Sequence, residues 1–150
     1  MKKNTRKKPL KAVLDTNIFV SGLFAESGVI FELMELWADE CFELATSLEI
    51  LEELYRVLHK PTIQKHFQPT EKEIIEFIEI IKERAVITPN LLEIDIIKND
   101  PTDNKFLVCA KEAAADFIVS GDKHLKDIKQ FEKIKIVDAK TFIEKVKPKD

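Results

Sequence analysis

One stretch constrains this chain more than any other: Val13-Leu14-Asp15-Thr16-Asn17. Lys11–Leu14 is short and apolar, the pattern of a buried strand rather than a surface element. The strand ends on a carboxylate, a hydroxyl and an amide in immediate succession. In an open α/β sheet the carboxyl ends of the strands form the ligand-binding crevice. An aspartate there points to the place where several strand ends converge. Other segments offer acids that can meet it: Glu52 and Glu53, Asp100 and Asp103, Asp116 and Asp122.

Several alternatives fall away on composition. The chain has 150 residues, enough for one domain that buries roughly 70% of its unfolded surface. A hydrophobic content of 45% supplies a core, and a charged content of 34% with mixed signs supplies a solvated exterior. No apolar run approaches the roughly 20 residues of a membrane span. The basic N-terminus lacks the apolar segment of a signal peptide, so a cytoplasmic protein without a membrane role is expected. Cys41 and Cys109 stand far apart with no metal-ligand spacing, which predicts reduced thiols and no structural zinc. The three glycines, Gly22, Gly28 and Gly121, cannot write GxGxxG or GxxxxGK[ST], which argues against a nucleotide cradled by a glycine-rich loop.

Residues 1–10 form a basic tail carrying Lys2, Lys3, Arg6, Lys7 and Lys8, either a solvated extension or an arm for nucleic acid phosphates. Residues 11–146 form a single domain. A short helix over 18–24 and a second over 28–37 follow the first strand, then a strand over 42–45. Thr46 and Glu49 have capping-box spacing, and the helix they open shows Leu48, Leu51, Leu54, Tyr55 and Leu58 on one side. Glu52 and Glu53 flank that stripe, and periodicity alone does not choose between them. Thr70 and Glu73 form a second capping box, with Ile74, Ile75, Phe77, Ile78 and Ile81 directed inward. A strand over 85–87 and a connection over 91–98 follow.

Asp100-Pro101-Thr102-Asp103-Asn104 opens a helix through Phe106, Leu107 and Ala110, with more acid than capping needs. Residues 116–122 then repeat the opening theme, an apolar strand running into Ser120 and Asp122. A last strand over Ile134–Val137 and a closing helix over Ala139–Val146 complete the reading. The histidines His59, His66 and His124 read as solvated side chains without a role.

Leu14-Asp15-Thr16-Asn17, Glu53-Leu54, Asp103-Asn104-Lys105-Phe106-Leu107 and Ile118-Val119-Ser120-Gly121-Asp122 together resemble the PIN domain, in order and approximate spacing. The likeness extends to the small prokaryotic PIN proteins of toxin–antitoxin pairs, the VapC-like ribonucleases. It implies a three-layer α/β/α fold around a central parallel sheet, and Mg²⁺- or Mn²⁺-dependent cleavage of RNA. It implies Asp15, Glu53, Asp103 and Asp122 as the catalytic and metal-holding acids, and Asn17 and Ser120 as polar positions beside them. It also implies a homodimer and a cognate antitoxin protein. Hard divalent cations take oxygen ligands, and converging carboxylates need a cation or a shared proton. Lys105 and Lys123, next to two of the acids, are candidates to hold phosphates flanking the scissile bond.

Two other functions on the same fold are a non-catalytic RNA-binding domain and a housekeeping RNA-processing nuclease. Retention of all four acids argues against loss of cleavage. Phosphoryl-transfer folds also place Asp at a first strand end. A haloacid-dehalogenase-like phosphatase needs a second Asp where this chain has Asn17, and a receiver domain needs paired acids on strand one.

Overall fold

A computed structural model of the chain describes residues 8–92 and 104–148. The basic segment up to Lys7 and the stretch containing Asp100 and Asp103 lie outside the described residues. The elements run β1 (Lys11–Leu14), α1 (Thr16–Phe24), α2 (Gly28–Ala38), β2 (Glu43–Ser47), α3 (Leu48–Leu58), α4 (Pro61–Phe67) and α5 (Glu71–Arg84). They continue with β3 (Val86–Thr88), α6 (Asn104–Ala113), β4 (Phe117–Val119), α7 (Lys123–Ile128), β5 (Gln130–Phe131), β6 (Ile134–Val137) and α8 (Ala139–Val146).

The sheet has the order β3-β2-β1-β4-β6-β5. Every pairing is parallel except that of β5, which runs antiparallel against β6 at one edge. This is the expected α/β/α architecture around a mostly parallel sheet. From β1 the chain builds outward through β2 and β3, then returns to place β4 on the other side of β1. The order therefore reverses between β1 and β4, where Leu14 is level with Val119. Ligands of open α/β sheets bind outside the strand ends at such a reversal.

The central strands are apolar because both faces are covered. Ala12, Val13, Leu14, Ile118 and Val119 are fully buried. Leu33 and Trp37 of α2, Leu107 and Ala110 of α6, and Phe142 of α8 belong to the same core. Phe142 meets the rings of Phe42 and Phe117 edge-on, at 4.9 and 5.4 Å between centroids. Among the described residues no single helix is long and apolar enough to cross a membrane.

Three local expectations need correction. The α3 cap is Ser47, not Thr46: Ser47 accepts from the Ile50 amide at 3.2 Å. Pairing with β3 extends β2 through Thr46 and Ser47, which pulls Thr46 into the strand. Its buried hydroxyl has no hydrogen-bond partner among the described residues. The buried stripe of α3 is Ile50, Leu51, Leu54 and Leu58, with Leu48 and Tyr55 exposed. On α5 the capping box of Thr70 and Glu73 is present, yet Ile75 is exposed while Ile74 and Ile81 are buried. The short antiparallel β5 follows a six-residue helix, α7, that the sequence periodicity did not reveal.

His59 is also more engaged than a solvated histidine. Its Nδ1 lies 2.7 Å from the Tyr55 carbonyl and its Nε2 2.5 Å from Glu71, whose other oxygen accepts from the Tyr55 hydroxyl at 2.7 Å. The contact ties α3 to α5. His66 rests against the Phe67 ring, and His124 lies 3.8 Å from Asp122.

Candidate active site

Asp15 stands at the C-terminal end of β1 and is only 4% exposed. The chain leaves the strand directly into α1, and Asp15 caps that helix by accepting from the Ile18 amide at 2.9 Å. Its second carboxylate oxygen accepts from the Ser120 hydroxyl, across the reversal in strand order. Ser120 in turn accepts from the Asp122 amide at 2.9 Å. Asp122 caps α7, receiving the His124 and Leu125 amides at 2.7 and 3.3 Å. A single hydroxyl thus links the ends of β1 and β4 and the start of α7.

Burial pushes the Asp15 carboxyl above its ordinary value, and the charge of nearby Asp122 adds to the effect. The Ser120, Ile18 and Asn17 donors oppose the shift without cancelling it. A carboxylate in this position carries negative charge at a cost that a cation would remove.

On the other side of Asp15, the Thr16 hydroxyl donates to Glu53 Oε1. Glu53 Oε2 lies 3.3 Å from the Lys105 ammonium. Glu52 is exposed on the outer flank of α3. Of the two glutamates, Glu53 is therefore the one joined to the Asp15 strand end. Thr16 and Lys105 make that junction, and neither was assigned this part from sequence. The signal for Thr16 was its place directly after Asp15, at a buried strand end.

Lys105 departs from the phosphate-holding position expected for it. Its side chain is 6% exposed, and it sits in the first turn of α6 against Glu53, with the ammonium 5.1 Å from the Phe106 ring centroid. Lys123 is placed differently: its side chain is 83% exposed and pairs with Asp127 at 3.1 Å. Asn17 is exposed on the first turn of α1. Asp103 lies outside the described residues, immediately before Asn104 at the start of α6. Asp116 is at the opposite end of the sheet, where it accepts from the Lys11 amide at 2.9 Å, and takes no part in the cluster.

Among the described residues no three His, Cys, Asp or Glu side chains gather closely enough to hold a metal ion. Asp15, Asp122 and Glu53 each offer carboxylate oxygens, the donor type that a hard divalent cation takes. Cys109 is a buried thiol of α6, and burial pushes it up to about 11.

An uncharacterized protein of Methanocaldococcus jannaschii, MJ1680, is 29% identical over 143 residues, which is 90% of this chain and 90% of that protein. A chain from the crystal structure of VapBC2 from Rickettsia felis, bound to a DNA fragment from their promoter, is similar in fold. It matches with a TM-score of 0.50 over 85% of this chain and 97% of that one, at 18% identity. A family model described as PIN domain matches residues 11–124, from the first residue of β1 into α7 and so through the whole cluster, and the chain belongs to the PIN domain family.

Proposed function

We propose that this protein is a metal-dependent endoribonuclease that hydrolyses RNA phosphodiester bonds, and that it is the toxin of a toxin–antitoxin pair. The observation that carries the reading is the line of contacts from Glu53 through Thr16 and Asp15 to Ser120 and Asp122, lying across the reversal in strand order. PIN domains are a nuclease family, and the resemblance to VapC-like ribonucleases supports the toxin assignment.

In this reading Asp15, Glu53, Asp103 and Asp122 hold Mg²⁺ or Mn²⁺. The cation, when bound, supplies Lewis-acid stabilisation of charge on the scissile phosphate. The chain's own residues do the positioning. Ser120 fixes one oxygen of Asp15 while the Ile18 amide fixes the other, so the carboxylate has one orientation. Thr16 does the same for Glu53. Asn17, exposed beside them, contacts the substrate. Lys123 at the start of α7 attracts the phosphates that the acids repel. A cognate antitoxin protein would hold the enzyme inactive in the cytoplasm, and two copies would form a homodimer with two clefts.

The test is cleavage of a panel of single-stranded and structured RNAs with Mg²⁺ or Mn²⁺. Cutting that stops with EDTA and with Asp15→Asn is the expected result. RNA binding without cleavage under every metal condition would leave a non-catalytic RNA-binding domain instead.

A further inference from the structure

We propose that Lys105 is a built-in counter-cation for Glu53: a positioning residue that holds the carboxylate in the metal-free protein and competes with the divalent cation for it. The inference rests on the reading of Glu53 as a metal ligand. Three observations support it.

Lysine is almost never fully buried unless paired, and Lys105 is among the buried residues. It also sits in the first turn of α6, where the helix dipole disfavours a cation. A positive charge in that place needs compensating anions, and Glu53 is one of its partners, at 3.3 Å. Finally, both Glu53 oxygens are engaged, one by Thr16 and one by Lys105, although its side chain is 25% exposed. The carboxylate is thus held at both oxygens in a side chain that stays a quarter exposed.

A divalent cation that takes a Glu53 oxygen meets the Lys105 ammonium already 3.3 Å from the carboxylate. Like charges in a partly desolvated site repel far more strongly than in water. Lys105 should therefore stabilise the metal-free protein and weaken metal binding at once. A lysine that served only the fold would affect both forms alike, and one that held RNA phosphates would leave metal binding unchanged.

The experiment measures Mn²⁺ binding and melting temperature on the full chain, in EDTA and in Mn²⁺, for wild type, Lys105→Met and Lys105→Gln. The glutamine variant can still donate a hydrogen bond to Glu53 and guards against failure to fold. Both variants should melt lower than wild type in EDTA, gain more from Mn²⁺, and bind it about fivefold or more tightly. In a Glu53→Gln background the same changes should leave the Mn²⁺ response unaltered, and Lys105→Arg should behave as wild type. Equal losses of melting temperature with and without Mn²⁺, or weaker Mn²⁺ binding, overturn the inference while leaving the metal reading intact. A wild-type protein that Mn²⁺ neither binds nor stabilises overturns both.

Discussion

The Ser120 hydroxyl donates to Asp15 across the β1–β4 junction, joining residues 105 positions apart in sequence. Both groups are buried, and the same oxygen accepts from the Asp122 amide. Removing it strands a buried carboxylate oxygen and a backbone donor together. Ser120→Ala should cost about 1–3 kcal/mol of stability at neutral pH without metal. Ser120→Thr, which keeps the hydroxyl, should cost less. Chemical denaturation of the three proteins in EDTA checks this, and equal loss for both variants would mean the hydroxyl is not what holds the junction.

The raised Asp15 carboxyl gives a pH dependence with a defined sign. Its ordinary value is 3.8 and the folded value lies above it, chiefly through burial. Between those two values the folded protein holds the proton more tightly than the unfolded chain. This group's contribution is therefore best below the unfolded value and declines as pH rises through the folded one, by about 1.4 kcal/mol per unit of separation. Asp15→Asn removes the decline while an amide oxygen can still cap α1. Metal-free wild type should lose stability relative to Asp15→Asn as pH rises over that window, then run parallel to it. A difference that grows in favour of wild type would contradict the assignment.

Glu53 and Glu52 provide an internal control, being adjacent on α3 with different surroundings. Glu53→Gln should weaken metal-dependent cleavage by about 10–100-fold, the range seen when groups around a metal are lost. Glu52→Gln should stay close to wild type. The comparison is kcat/KM on one RNA at fixed Mg²⁺. Comparable losses for both would show that α3 contributes through its fold alone.

Asp15, Ser120 and Asp122 were legible in the sequence because strand ends are local signals: an apolar run stopping at a polar residue announces the edge of the sheet. The choice between Glu52 and Glu53 came from the resemblance to the PIN domain and not from periodicity, since both flank the α3 stripe. It depends on where Thr16 falls after β1 and α3 pack together. The burial of Lys105 was hidden for a related reason. Its position beside an acid in sequence suggested the cleft rim, whereas the first turn of α6 faces inward against Glu53. The Thr46 cap failed because pairing with β3, a long-range event, extended β2 by two residues. Helix and strand periodicity report local faces; they do not report which neighbour arrives.

A homodimer is expected, with α5 as part of the contact. Ile75 and Ile80 are 46% and 48% exposed on that helix, more apolar surface than its own core contacts need. Sedimentation at tens of micromolar protein should give a dimer, and the double change Ile75→Asp with Ile80→Asp should shift it toward monomer. A wild-type protein that remains monomeric removes the claim. A dimer indifferent to both changes moves the interface elsewhere.

Lys123 answers the negative charge of an RNA substrate. Carboxylates at the ends of β1 and β4 repel phosphates, so RNA must be held by cations around the cleft as well as by metal within it. Lys105 is unavailable because it is buried against Glu53. Lys123 directly follows Asp122, opens α7, and is exposed except for a solvent-screened pair with Asp127, the kind worth little on its own. Breaking that pair to meet a phosphate costs little. Lys123→Ala should therefore weaken RNA binding and flatten the salt dependence of log K by about 0.7, one single-strand phosphate contact. Mn²⁺ binding should be unchanged. The basic N-terminal segment precedes β1, whose first residue lies at the end of the sheet away from Asp15. Deleting residues 1–8 should accordingly alter affinity less than Lys123→Ala does. Binding titrations at several salt concentrations separate the two, and loss of binding on truncation with a silent Lys123→Ala would route the RNA across the opposite end of the sheet.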